Sequence, residues 1–357
     1  MPGEEAMVDS QGTFASTNPQ TGGRRLALPE APWLWLVILF ILNLALPFVP
    51  VPNLTLAIVG TIVLTILYVI IVVQFAAQVT RLQLPLGKLM PLFIASLALW
   101  AVLEWVVQPT VIKPLATAYH HTHVHATGLQ RFPLTLTEAF TGLALLCTAV
   151  LGGSLISRII TTPNMLGPVC AIIAMIDVWG VLLGGIVSKL MSKAPQAVSH
   201  GMVKGPAAGI ATASHYSIAV PDIGVGDYLF LGLLFAVLHA HEMNWRDAIK
   251  WTVPLMALAL LAIEFPFLGV QALPGLLFIG LGVAIPNLKH FQYTREEKFA
   301  LLYAGIFVVI LTGALYVGMS KIVFEQDMKH KTVKTRQAAY TENGVTSMLR
   351  LNRSLNL

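Results

Sequence analysis

Two aspartates stand where charge is expensive. Asp177 lies in the middle of AIIAMIDVWGVLLGG, with almost no polar neighbour, and Asp227 lies in PDIGVGDYLFLGLLF. A lone carboxylate among apolar side chains must take up a proton or find a partner from another part of the chain. Two carboxylates that meet around one water cannot both ionise easily, so they hold a proton between them. The ionised member then takes a proton from the water while the protonated member polarises an amide carbonyl. That chemistry needs neither a metal nor a covalent intermediate, so no cofactor is expected. The plainer reading makes each acid a separate hydrogen-bonding group between helices, and intramembrane acids also serve transport.

The elements that must hold these residues are membrane helices. Of 357 residues, 56% are hydrophobic and 11% charged, and the mean hydropathy is +0.75. A soluble domain carries about 25% charged residues, so a soluble enzyme, a disordered chain and a coiled coil are excluded. The expected fold is all-α, a polytopic transmembrane bundle of about nine spans. They are 33–50, 54–79, 90–112, 138–160, 166–188, 218–241, 251–268, 270–288 and 298–320. Each reaches or nearly reaches the ~20 residues that cross the hydrocarbon. Pro47, Pro52, Pro85, Pro91, Pro163 and Pro168 mark joints, and Trp33, Trp35, Trp245 and Trp251 sit near span ends as an interfacial belt would. Residues 1–31 read as a polar, disordered tail and 32–165 as a four-helix membrane half with a histidine-rich loop at 113–137. Residues 166–290 form a second membrane half, 291–320 an additional helix, and 321–357 a basic tail. Pro221, Gly224 and Gly226 weaken helix formation across 217–226, which reads as an irregular lead-in that becomes helix at about Asp227. Such backbone at membrane depth lines water or is buried in protein. The two aspartates then lie on consecutive spans, expected as antiparallel neighbours.

The string Gly224-Val225-Gly226-Asp227-Tyr228-Leu229-Phe230 resembles the G-x-G-D motif of presenilins and signal peptide peptidases, with the aromatic and apolar residues that follow it. Met175-Ile176-Asp177-Val178 occupies the place of the family's first aspartate, with Ile176 where tyrosine is usual. Gln271-Ala272-Leu273-Pro274 looks like the P-A-L sequence, with Gln271 for its first proline. The resemblance covers about 166–290. It implies a presenilin-like catalytic half and an intramembrane aspartyl protease that cleaves transmembrane segments of other proteins, with Asp177 and Asp227 catalytic. It differs in having four spans before Asp177 rather than five, and one more span after A-L-P. Type IV prepilin peptidases share G-x-G-D but carry lysine two residues on, where this chain has Leu229.

The flanking residues suit the same reading. Gly224 and Gly226 remove bulk beside Asp227, so that a substrate backbone can approach, with Val225 between them. Gln271, Ala272, Leu273 and Pro274 form the second wall of the substrate site, where a proline leaves carbonyls free for an extended chain. Ser217 to Val220 is β-capable and is expected either to pair with an unwound substrate or to serve as a connector.

Two other functions stay open. One is a secondary transporter or channel in which Glu104 and Glu264 join the aspartates in a proton or cation relay. The other is a catalytically silent relative that binds membrane helices. His120, His121, His123 and His125 could hold a metal or simply form a solvated loop; no metal site is assigned. H-E-x-x-H and phosphate-loop motifs are absent, as is any serine motif of a hydrolase. Cys147 and Cys170 fall within apolar spans and read as buried thiols. The net charge of +5 resides largely in the C-terminal tail and suits a membrane surface rather than nucleic acid. The expected location is a multi-pass integral membrane protein, in the cell membrane if the source is prokaryotic. With the amino terminus cytoplasmic, that side carries 10 Lys and Arg against 12 on the other, 7 of those in the tail. The positive-inside rule does not choose between such sums.

Overall fold

Proline and asparagine set the first helix starts. A computed structural model describes residues 31–112, 131–178, 200–209, 216–264 and 273–299, with isolated positions at 114 and from 302 to 310. Helix α1 (Pro32–Ala45) begins on a proline, whose missing N–H is no loss in a first turn, and runs into a 3-10 turn at Leu46–Phe48. Helix α2 (Leu54–Arg81) is capped by Asn53, whose side chain accepts from the Leu56 N–H at 2.8 Å. Helix α3 (Leu86–Val102) continues as a π-helical stretch, Leu103–Ile112, that contains Glu104 and Pro109. Helices α4 (Phe132–Ile156) and α5 (Leu166–Val178) follow, and then α6 (Val225–Ala240), α7 (Trp245–Glu264) and α8 (Gly275–Asn287).

The described residues are mostly helical. Leu54–Arg81, Leu86–Ile112 and Phe132–Ile159 are long and apolar enough to cross a membrane, and shorter apolar helices cover Pro32–Phe48, Pro163–Val178, Val225–Ala240 and Gly275–His290. Large apolar side chains stay exposed along them, among them Trp33, Val37 and Ile41 on α1 and Met90, Ile94 and Leu97 on α3. A surface of that kind is suited to lipid rather than water. Hydroxyls inside the helices bond to their own turns, as Thr148 Oγ1 does to the Ala144 carbonyl at 2.7 Å and Ser154 Oγ to that of Val150 at 2.9 Å.

Apart from the span that holds Asp227, four helix starts depart by four or more residues from the expected span starts; those expected at 90 and 270 lie at Leu86 and Gly275. The span at 138–160 starts at Phe132, because Pro133 suits a first helical turn; residues 132–137 therefore leave the histidine loop. The helix expected within 251–268 starts at Trp245, in a polar first turn where Asn244 Oδ1 accepts from the Asp247 N–H at 3.4 Å. Within the span expected at 218–241, helix begins at Val225, two residues before the expected end of the irregular lead-in at about Asp227. Residues 218–224 are extended, which adds short strands to the all-α expectation.

Those strands form an antiparallel ribbon. Strand β1 (Met202–Val203) pairs with β4 (Ile223–Gly224), and β2 (Ala207–Ala208) pairs with β3 (Ile218–Ala219). Both pairs share one register, and the Val220 N–H bridges them by donating to the Pro206 carbonyl at 3.2 Å. Pro206 and Pro221 lack an N–H, which interrupts the ladder between the two pairs.

Helix α6 is the centre of the bundle. Every residue from Leu231 to His239 is buried, as suits a helix that is apolar on all sides. It packs on α2, α4 and α8. Its contact with α4 is close because both sides are glycine. A Cβ on Gly232 would lie 2.6 Å from the Val150 carbonyl oxygen, and one on Gly153 would strike the Leu229 carbonyl oxygen.

Candidate active site

Asp227 sits in the first turn of α6, directly after the ribbon. The Val225 N–H donates to the Gly201 carbonyl at 2.9 Å, and Gly224 pairs with Met202, so the ribbon fixes where this helix starts. The next residue anchors the same turn sideways. Tyr228 OH and Tyr68 OH of α2 share a hydrogen bond, and both side chains are buried.

Asp177 lies in the last described turn of α5. Contrary to the expectation of direct neighbours, the described part of α5 touches α6 little; α8 packs on both. The first turn of α8 is where the two acids come together. Its Leu276 N–H donates to Asp177 Oδ2 at 2.7 Å. One residue earlier, a Cβ on Gly275 would lie 2.9 Å from Asp227 Oδ1 and 3.2 Å from both Cγ and Oδ2. The Asp227 carboxylate thus rests against a backbone that only glycine leaves uncovered. The two carboxylates also act on each other electrostatically. The free N–H groups of a helix start carry partial positive charge, which suits a site holding one negative charge between two acids.

No protein-family model, curated protein or solved structure matches this chain. The site is therefore read from its own geometry.

Of the residues expected to line a substrate, Gly224 is the N-cap of α6, and a Cβ there would lie at an ordinary 3.7 Å from Asp227 Oδ2. Gly226 has open space where a side chain would be. Val225 is half-buried against the core. Pro274 is buried as the N-cap of α8 and Leu273 precedes it, half-buried; Gln271 and Ala272 lie outside the described residues. Ile218 and Ala219 already pair with Ala208 and Ala207, so that edge of the strand is taken within the chain itself.

Glu104 is tied to His200 Nδ1, just before β1, and Glu138 pairs with Lys204 at 2.9 Å. These groups flank the ribbon in two polar cavities. One, of about 290 Å3, is lined by Tyr68, Glu138, Lys204 and Asp222; the other, of about 390 Å3, by Glu104, Gln108, Glu138 and His200. His239 is buried, with Nδ1 2.7 Å from the Phe235 carbonyl oxygen, and belongs to the packing of α6. Cys170 is buried and Cys147 half-buried, both free thiols. Residues 120–125 and His215 lie outside the described residues.

Sequence reasoning missed Gly275, Leu276 and Tyr68. A glycine directly after Leu273-Pro274 was the available signal for the first. Leu276 acts through its backbone, and Tyr68 is recognised only through its partner on another helix.

Proposed function

We propose that the chain is a multi-pass intramembrane aspartyl protease that hydrolyses peptide bonds within transmembrane segments of membrane proteins. The observation that carries this reading is the first turn of α8. It donates to Asp177 through the Leu276 N–H and lies against Asp227 at Gly275. Two acids on separate helices then share one small volume, with one proton between them. In the reaction one carboxylate removes a proton from water as the oxygen attacks the scissile carbonyl. The other donates to the carbonyl oxygen, and the proton reaches the leaving amine as the C–N bond breaks. Open space at Gly226 gives an extended backbone room beside Asp227. The resemblance to presenilins and signal peptide peptidases along 166–290, within a bundle of about nine spans, supports the same assignment. The substrate partner is a membrane helix that must unwind locally, and Gln271 to Pro274 would face it.

The test is cleavage of a helical membrane substrate by the purified full-length chain in detergent. Asp177→Ala and Asp227→Ala each lower the rate by about 10²–10⁴-fold, the usual range for general acid–base groups. Glu104→Gln and Glu264→Gln leave most of it. Ion flux that fails in Glu104→Gln, with the substrate intact, would instead mark a transporter. Substrate binding without cleavage would mark a silent relative. Cysteines at 177 and 227 that never crosslink would refute the shared-proton pair.

A further inference from the structure

The end of the bundle remote from the ribbon gathers cations. Arg81 closes α2, Lys88 opens α3, Arg158 follows α4 and Arg246 opens α7. The Trp245 ring lies among them, 5.8 Å from the Arg81 guanidinium and 5.3 Å from that of Arg246. Cations and tryptophan at helix ends mark a headgroup layer.

A cavity of about 290 Å3 opens at this end between α2, α4 and α6. Thr80, Gln83, Ser154, Ser157, Arg158 and His241 are its polar lining, and no carboxylate is among the described residues that line it. The serine and threonine hydroxyls are engaged with carbonyls of their own helices. Arg158 gives one N–H to the Leu84 carbonyl at 2.5 Å, and Gln83 gives one amide hydrogen to that of His239 at 2.8 Å. A guanidinium has five such hydrogens and an amide two, so both side chains keep donors for a further acceptor. The lining includes Val79, Leu84 and Leu151, which also line a second cavity of about 500 Å3. That second space, between α1, α2, α3 and α4, is walled by Leu92, Ala95, Leu99, Phe140 and other apolar residues.

A polar cup with one guanidinium, beside an aliphatic groove that shares three of its lining residues, at a helix end rich in cations and tryptophan, matches one kind of molecule. We infer that this is a binding site for a phospholipid with a net negative headgroup. The phosphodiester is held by Arg158 and Gln83, and one acyl chain lies in the groove. Arg158 supplies charge and paired hydrogen bonds to phosphate oxygens. The groove adds little driving force, because acyl chains surround it already. It serves instead to reject a phosphate that has no tail. This inference does not depend on the proteolytic reading.

The test is native mass spectrometry of the full-length chain in neutral detergent, titrated separately with phosphatidylglycerol, phosphatidylcholine and inorganic phosphate. One phosphatidylglycerol binds about tenfold more tightly than phosphatidylcholine, whose choline cation faces the Arg158 guanidinium with like charge; tenfold corresponds to ~1.4 kcal/mol. Arg158→Gln abolishes that preference. Ala95→Phe, which fills the groove without touching the Arg158 bond, weakens both lipids. Equal occupancy by the two lipids in the parent chain overturns the inference, as does a preference that survives Arg158→Gln. Inorganic phosphate that competes equally with phosphatidylglycerol, with Ala95→Phe lacking effect, overturns it in favour of a free-anion site.

Discussion

Gly275→Ala separates catalysis from folding. The added Cβ would lie 2.9 Å from Asp227 Oδ1, whereas ordinary contact begins at 3.4 Å, so the carboxylate must move by about 0.5 Å. It can do so, because it ends a short side chain and is not backbone. Gly275 has no positive φ, and alanine favours a helix start by up to ~1 kcal/mol over glycine. Stability in detergent therefore stays level or rises slightly. Activity falls, because reacting groups must be held within about 0.5 Å and a 1 Å error costs ~10²-fold. The expected loss in kcat/KM is about 10- to 100-fold, or ~1.4–2.7 kcal/mol of transition-state stabilisation. The assay pairs gel-based cleavage of a helical substrate with thermal melting of the same samples. A folded Gly275→Ala protein that cleaves within twofold of the parent would refute the placing of Asp227 against α8. Lost activity together with a large fall in melting temperature would show that glycine serves packing alone.

Gly232→Val places methyl groups into the Val150 backbone and destabilises the α4–α6 contact by about 1–3 kcal/mol or more, read as a lowered melting temperature. Tyr68→Phe leaves the buried Tyr228 hydroxyl without its partner and costs ~1–3 kcal/mol; adding Tyr228→Phe recovers part of that loss, as a double-mutant cycle measures. In the polar turn that precedes the apolar part of α7, Lys250 first and Asn244 next hold the Asp247 carboxyl below its ordinary value of 3.8. Its contribution to stability is thus complete above that ordinary value and disappears as pH falls through the lowered one. The difference in melting temperature between the parent and Asp247→Asn should shrink over that acid window and stay constant at neutral pH.

The joints between helices were legible because proline and glycine act locally. Pro47 and Pro85 sit at helix ends through their own geometry, whereas Pro91, expected to mark a joint, lies inside α3 and Pro168 inside the first turn of α5; the lead-in to Asp227 was read within two residues of the actual helix start at Val225. The ribbon was less legible. Ile218, Ala219, Val220 and Ile223 look like membrane span by composition, since short apolar runs do not separate strand from helix. What decides is pairing with 202–208, a partner that no local pattern names. That both aspartates lie against the first turn of α8 was not legible. A backbone N–H at Leu276 and a missing side chain at Gly275 carry no chemical signature in a sequence.

The placing of Asp227 in the first turn of α6 sets where a cut would fall across the bilayer. From Asp227 to Ala240 the helix rises ~20 Å, about two thirds of a ~30 Å hydrocarbon layer. On the proteolytic reading proposed above, hydrolysis there would divide a spanning segment unequally. The shorter piece keeps only about seven helical residues within the lipid, too few to hold it. One product would diffuse away into the aqueous phase, and the other would stay anchored.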